Sequence, residues 1–456
     1  MTGDSDLLDL AHRVVSRAQG SEQVEAFATH SIGTSVTVFD GEVETLTSSE
    51  TRGVGVRVIV DGRLGFASTS DVSEDGLGYA LEEARSNAAY GTADLGNVLP
   101  LPRDTSGLPP MPSLVSDGFD DVPVARKVAM AVELERLTRA ADPRVSGVAA
   151  SVYGDSLSRG AVASTAGINA AYSRTDAYAY VSALARSGDE TQTGLGLSMG
   201  RGAGDLDLEA AGREGALRAT RLLGATKPAT ASVPVVFDPI VTATFLGVLA
   251  GAFSADSVQK GRSLLAEKLG ELIAGTGLSI IDDGRLPEGP GSAPFDDEGV
   301  PTGRTVLVNR GELMGWLHNT ETAARAGDAS RSTGNASRAG HGSTPGVASS
   351  NLYLSGDETP VEEILRRAGT GLYVQDVSGV HSGVNPVSGE FSVGATGLWI
   401  RDGELAEPVR EVTVSSTILG MLKAVVALGD DRRFLPFGGS LAGATLLIEG
   451  MTVAGA

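Results

Sequence analysis

Apolar positions change their period several times along the chain, and each change predicts an element. Over residues 4–19, Leu7, Leu8, Ala11, Val14, Val15 and Ala18 recur three and four apart. That spacing lays one apolar stripe along a helix, and Gly20 stands where a left-handed residue would end it. The period then becomes two. Val36 and Val38 lead into Asp40-Gly41, with Val43, Thr45 and Thr47 beyond; Val54, Val56, Val58 and Val60 lead into Asp61-Gly62, with Leu64 and Phe66 beyond. Alternation marks strands, and Asp-Gly supplies the positive φ angles a tight hairpin needs, so two hairpins are predicted. A helix follows from Ser73, a suitable N-cap, through Leu77, Leu81, Ala84 and Ala88 to Gly91.

Residues 97–123 hold Pro100, Pro102, Pro109, Pro110, Pro112 and Pro123 with few periodic apolar positions, the pattern of a crossing linker. Helical spacing returns over 124–141. Strands are predicted through 144–200, the clearest from Ala177 to Ala185 with Tyr178 and Tyr180 on one face. A further amphipathic helix is predicted near 205–223, carrying Leu206, Ala210, Leu217 and Leu222. From Val233-Pro234-Val235-Val236-Phe237 onward, strands and glycine turns dominate, with helices expected near 240–252, 261–273, 360–368 and 415–427. Segregated strands and helices without a short repeat define an α+β class. The expected division is an N-terminal helix and hairpin region (1–96), a Pro-rich linker (97–123), a central α+β region (124–228) and a β-rich, barrel-like C-terminal domain (229–456).

Composition narrows the function. Glycine accounts for 61 of 456 residues, nearly twice the usual ~7%, which suits turns between many strands. Acidic residues outnumber basic ones 57 to 36, a net charge of −21 that repels phosphate backbones and argues against nucleic-acid binding. Cysteine is absent, which removes disulfides, thiolate metal sites and cysteine nucleophiles together. The first twenty residues hold Asp4, Asp6 and Asp9 without an apolar block, so no signal peptide is expected. The longest mostly apolar run, Val241 to Phe253, is shorter than the ~20 residues a membrane helix needs, and a soluble, cytoplasmic protein is expected.

Candidate chemistry is sparse. Gly196-Leu197-Ser198-Met199-Gly200 matches the G-x-S-x-G nucleophile elbow, but its alternation reads equally as a strand in a glycine-rich chain. Of the five histidines, His12 and His30 fall on a predicted helix and strand, and none of the five begins a His-Glu-x-x-His pattern. His341 and His381 lie in Gly/Ser-rich loops, the second near Asp376; two loop imidazoles and a carboxylate could hold zinc, and exposed loop residues are the other reading. There is no P-loop, and Gly53-Val54-Gly55 sits inside a strand, so neither nucleotide fingerprint is met. Asp282-Asp283 and Asp296-Asp297-Glu298 are dense enough for acid–base work or a divalent cation. Both abut turn glycines, as does Asp430-Asp431, and solvated turns are the expectation.

Several stretches, in order along the chain, resemble the TldD/PmbA family and within it the PmbA (TldE) branch. They are Arg52-Gly53-Val54-Gly55-Val56-Arg57-Val58 running on to Gly65–Asp71; Pro234-Val235-Val236-Phe237-Asp238-Pro239 with Lys260-Gly261-Arg262-Ser263; Phe295-Asp296-Asp297-Glu298-Gly299-Val300-Pro301-Thr302; Gly369-Thr370-Gly371-Leu372-Tyr373-Val374; Gly389-Glu390-Phe391 through Trp399; and Glu449-Gly450-Met451 through Gly455. The resemblance implies a heterodimeric zinc peptidase in which the TldD-type subunit carries His-Glu-x-x-x-His and the PmbA-type subunit lacks it. Counting back from Lys260-Gly261, the corresponding stretch here is Leu246-Gly247-Val248-Leu249-Ala250-Gly251, with neither histidine nor the glutamate. No catalytic, cofactor-binding or metal residue therefore carries over, and zinc is expected in the partner subunit. The implied substrates are unfolded peptides or peptide-derived antibiotic precursors. Two other classes stay open: a non-catalytic binding or regulatory protein of the gyrase-modulator type, and a self-sufficient hydrolase using Ser198 or the His341 and His381 loops.

Overall fold

Both Asp-Gly pairs form the turns expected of them. In the computed structural model, which describes residues 4–436 and 439–455, Asp40 and Gly41 take φ of 52° and 78°, and Asp61 and Gly62 take 50° and 73°. Residues 1–3, 437, 438 and 456 lie outside the described residues, and with them the first three positions of the N-terminal reading and the last of the C-terminal one. The turns join β1 (Gln23–Phe39), β2 (Glu42–Val60) and β3 (Arg63–Thr69). β4 (Val145–Ser164), β5 (Asn169–Ser187) and β6 (Glu190–Gly200) complete an antiparallel sheet in the order β3-β2-β1-β4-β5-β6.

Helices cover one face of this sheet. α1 (Asp4–Val15) and α2 (Glu74–Tyr90) pack Leu7, Leu10, Leu77 and Leu81 on Val24, Ala26, Ala28, Val54, Val56 and Val58. α3 (Val124–Ala141) and α4 (Leu208–Thr220) continue the layer, with Met130 against Val36 and Val38, and Leu134 and Ala211 against Val181. On β1 the covered residues are all even-numbered, so the odd positions face the other way. Local capping explains the helix starts: Ser73 accepts the N–H of Gly76 at 3.2 Å and Asp207 that of Ala210 at 2.8 Å.

The C-terminal half is built on a closed five-stranded barrel. β7 (Ala231–Phe237) pairs in parallel with 371–378, the chain continues through 390–401 and 404–417 to 446–454, and 446–454 pairs back to β7. A second sheet holds strands 304–309, 278–283 and 352–356. α5 (Pro239–Ala250) lies in the main core. Its Phe245, Leu246 and Leu249 share one apolar cluster with Val374, Val393 and Val414 of the barrel and Ile280, Leu307 and Leu352 of the second sheet. The fold is thus α+β with a β-rich, barrel-containing C-terminal half. No helix among the described residues is long and apolar enough to cross a membrane.

Two predicted helices come out differently. Residues 261–273 are turns, and a short helix (Ala255–Gln259) precedes them. Gly261 and Gly270 take φ of 66° and 78°, which breaks the helical path at both ends; Leu265 and Ile273 are buried while Leu269 and Leu272 face out. Residues 415–427 hold only a six-residue helix (Ile418–Lys423), because Thr417 ends one strand and caps the helix through Gly420, and a new strand begins at Val425.

Candidate functional site

The odd positions of β1 form the floor of a cleft. Thr29 and Ser31 stand opposite the helix-covered face. Ser31 pairs across the sheet with Thr51 of β2 and Ser158 of β4, and Ser158 with Arg174 of β5. Loops of the C-terminal half around 334–340 and 348–350 form the opposing wall, and the two enclose about 520 Å³. The surface is rich in hydroxyls, which accept and donate hydrogen bonds without carrying charge. Tyr172, beside Arg174, meets Phe295 edge-to-face at 5.2 Å, and burial pushes its phenol up to about 12, so it remains a neutral donor. Arg174 is steadied by Asp176 at 3.1 Å, which also receives Arg201 at 2.9 Å.

The acidic clusters are structural, and the expectation of solvated turns fails for them. Glu298 is fully buried: it accepts Arg57 at 2.9 Å and the N–H of Thr320 at 2.9 Å. Arg57 also holds Glu25, which Arg338 reaches from the loop at the cleft wall. Burial alone would raise the Glu25 carboxyl; Arg57 and Arg338 outweigh it and hold it below the ordinary range. Asp296 accepts the N–H groups of Glu298, Val300 and Ala336 at 2.9–3.0 Å, yet burial and then the neighbouring Glu298 charge push it well up. Asp282 is buried between Asn335 Nδ2 and Ser350 N, both at 2.7 Å, and burial pushes it up to about 6. These carboxylates are spent on backbone N–H groups, the Asn335 amide or arginines within the fold, which explains the motif around residue 296 as a joint between the two halves. Asp431 ties Thr445, through its N–H at 2.8 Å and its hydroxyl at 2.6 Å, while its neighbour Asp430 is exposed, as a solvated turn requires.

The candidate nucleophile and ligands are scattered. Ser198 lies inside β6 rather than at a strand-to-helix elbow, and its hydroxyl accepts the N–H of Asp207 at 2.9 Å. The flanking glycine has its own reason: a Cβ on Gly196 would stand 1.9 Å from the Ala211 carbonyl of α4. His341 Nδ1 lies 3.3 Å from Thr29 Oγ1. Its ring fills the space over Gly53, where a Cβ would come within 2.3 Å of Nε2; a Cβ on Gly55 would come within 2.3 Å of the His341 carbonyl. The Gly53-Val54-Gly55 pattern therefore seats a C-terminal loop on the N-terminal sheet. His381 sits in a one-turn helix (Val380–Gly383), and the nearby Asp376 is exposed. His12 meets Asn169, and His30 is buried with Nε2 at 2.7 Å from Glu50. Among the described residues no group of three or more His, Cys, Asp or Glu could hold a metal ion. At 246–251, Leu246 and Leu249 are fully buried core residues, while Gly247 and Gly251 are exposed. The donor set of a zinc site is missing there, and α5 packs within the subunit.

Sequence patterning did not single out Thr29, Ser31, Thr51, Ser158 or Arg174. The available signal was the hydroxyl residues at 29, 31, 35 and 37 running out of phase with the apolar positions of β1.

A barrel half joined to a helix-backed sheet around a polar cleft defines the class, and sequence comparison supplies the family. Residues 24–88, 117–223 and 230–455 match, in turn, domain 1, the central domain and the C-terminal domain of PmbA/TldA metallopeptidases. A metalloprotease of Methanothermobacter thermautotrophicus is 31% identical over 440 residues, 94% of this chain and 91% of that protein. Metalloprotease PmbA of Escherichia coli O157:H7 is 26% identical over 90% of this chain and 88% of its own length. A Thermotoga maritima structure, described as a candidate modulator of a DNA gyrase, superimposes with a TM-score of 0.88 at 27% identity, covering 98% of this chain and 99% of that one. TldE from Thermococcus kodakarensis shares the fold, with a TM-score of 0.87 at 23% identity and 99% coverage of both chains. The chain belongs to the PmbA/TldD metallopeptidase family.

Proposed function

We propose that this chain is the zinc-free subunit of a heterodimeric, cytoplasmic peptidase of the PmbA/TldD family, acting on unfolded peptides or peptide-derived precursors. One observation carries the reading. Where a TldD-type subunit is expected to hold His-Glu-x-x-x-His, this chain has buried Leu246 and exposed Gly247 and Gly251 at the end of α5. Without imidazole or carboxylate there, that helix has no group to hold Zn²⁺ or activate its water. The TldD-type partner supplies the metal and the hydrolytic water. This chain's own part is to bind and orient: the hydroxyls of Thr29, Ser31, Thr51 and Ser158 offer donors and acceptors to a main chain, and Arg174 and the neutral Tyr172 phenol add donors beside them.

The test uses both subunits. Each alone is expected to be nearly inactive on an unstructured peptide, with cleavage restored by mixing at about 1:1, an obligate interface of about 2,000 Å² or more being the physical requirement. Replacing the partner's zinc glutamate by glutamine should abolish turnover while the complex persists. Full activity from the zinc subunit alone, or a homodimer of this chain that cleaves peptide unaided, would refute the reading.

A further inference from the structure

The outer edge of β2 is open beyond the end of β3. β1 accompanies β2 along its whole length, from Gln23 opposite Ile59 to Phe39 opposite Glu42. β3 pairs with β2 only from Val54 to Val60. Among the described residues, no strand pairs with the outer edge from Glu42 to Gly53, and all ten residues from Glu42 to Thr51 are exposed. Sheets usually protect such an edge with proline, lysine, a bulge or a covering element. Here the exposed part, Glu42 to Thr51, contains neither proline nor a basic residue, Arg52 following it at the inner end, and its one register shift lies near the hairpin tip, opposite Thr37 and Val38. From Thr45 to Thr51 the pairing with β1 is uninterrupted.

The edge has a direction and a charge. Thr47 and Ser49 share the face of Ser35 and Gly33, which is the cleft face, and Thr51 at the inner end lines the cleft itself. Val43 and Leu46, 44% and 51% exposed, offer apolar contact on the opposite face. Glu42, Glu44 and Glu50 are the charged residues from Glu42 to Thr51, and Arg52 stands at the inner end beside the cleft. Glu50 is engaged by His30, which leaves Glu42 and Glu44 at the outer end. A second copy of this chain, at −21, is repelled by such an edge.

We infer that β2 from Glu42 to Thr51 is a docking edge for an extended segment of the substrate peptide, which it pairs with by main-chain hydrogen bonds and guides into the cleft, and that Glu42 and Glu44 select peptides carrying lysine or arginine at the outer end. The inference rests on the peptidase reading above and names its substrate class. At ~3.3 Å per residue, the seven steps from Glu44 to Thr51 place the basic side chain about 23 Å before the segment held in the cleft. Main-chain pairing tolerates many sequences, and the acidic pair supplies the preference.

Three fluorescent peptides of fourteen residues test it: one with two lysines at one end of a Ser/Thr/Val sequence, one with glutamates there, and the lysine peptide N-methylated at alternate amides. Anisotropy with the full chain alone should show the lysine peptide binding about tenfold tighter than either of the others. A Glu42→Lys, Glu44→Lys double variant should reverse the charge preference. In the assembled peptidase that variant should raise KM for the lysine peptide about tenfold with kcat unchanged. Equal binding of the N-methylated peptide, or an unchanged charge preference in the variant, would overturn the inference. Loss of the zinc subunit from the variant would also overturn it, by making the edge a subunit interface. If the wild-type assembly cleaves peptide and the variant's KM does not move, the edge proposal fails and the peptidase reading stands. If the assembly cleaves nothing, the anisotropy series still decides the edge.

Discussion

Arg57 and Glu298, 241 residues apart in the chain, form a buried ion pair at 2.9 Å with side chains 5% and 0% exposed. Arg57 lies on β2 and Glu298 on a loop of the C-terminal half, so the pair is a joint across the molecule. The same guanidinium holds Glu25 through its Nε at 2.9 Å. Arg57→Leu would leave buried Glu298 without its cation and Glu25 with Arg338 alone, and loss of one partner from such a pair typically costs about 3–5 kcal/mol. Arg57→Lys should recover part of this, because a single ammonium cannot reproduce the planar fork between two acids. Urea denaturation of the three proteins checks the order: wild type, then lysine, then leucine. A leucine variant as stable as wild type would contradict the assignment.

The seat of the His341 loop separates two glycine substitutions that look alike in sequence. At Gly53 an added methyl meets the imidazole, and at Gly55 it meets the backbone carbonyl of His341. Both Gly53→Ala and Gly55→Ala should destabilise, by about 1–3 kcal/mol. Adding His341→Ala should relieve the first and leave the second, since truncating a side chain moves no carbonyl. A double-mutant cycle measured by denaturation therefore expects coupling at 53 and none at 55.

Ser198 and Gly196 invert the roles a nucleophile elbow would give them. Ser198→Ala removes an acceptor for the Asp207 N–H and should leave the activity of the assembled enzyme within a few-fold, whereas a true nucleophile would lose about 1000-fold or more. Gly196→Ala forces a methyl into the Ala211 carbonyl and should lower stability and yield. Measuring turnover and thermal midpoint on both variants distinguishes catalysis from packing.

Asp282 gives a signed pH effect. Its carboxyl is pushed by burial up to about 6, above the unfolded ~3.9. In that window the folded state binds the extra proton, so this group's contribution to stability falls as pH rises from about 4 to 6 and is constant above. Asp282→Asn cannot titrate. The stability of wild type relative to the variant should therefore decline by about 1–3 kcal/mol between pH 4 and pH 7, read from urea midpoints at each pH. A flat difference would show that Asp282 keeps an ordinary carboxyl in the fold.

Legibility in the sequence followed the range of the interactions. The Asp-Gly turns, the capped helix after Ser73 and the helix at 124–141 depend on neighbours within a few residues, and their patterns were visible. The helix expected at 261–273 failed because Gly261 and Gly270 adopt left-handed φ, which spacing of leucines does not report. The Asp296–Glu298 cluster resembled a solvated turn because its cation, Arg57, is more than two hundred residues away. The cleft hydroxyls were hidden for a different reason: the polar side of an amphipathic strand has the same pattern whether it faces water or a second domain.

Metal content tests the division of labour most directly. The stretch that would carry the zinc ligands has Leu246, Gly247 and Gly251 at the motif positions, and no cysteine exists anywhere in the chain. His341 is committed to Thr29 and the Gly53 surface, and His381 lies on a separate turn of the barrel. Two isolated imidazoles do not make the three or four ligands that tight zinc binding requires. The purified chain should therefore retain well under one zinc per molecule after extensive dialysis, measured by elemental analysis. The complex with a TldD-type partner should retain about one, and stripping it with a chelator should abolish cleavage without unfolding this chain, whose fold does not depend on the ion. Close to one tightly held zinc on the isolated chain would overturn the division and point to His341 and His381 as its ligands, and a His341→Ala variant would then lose it.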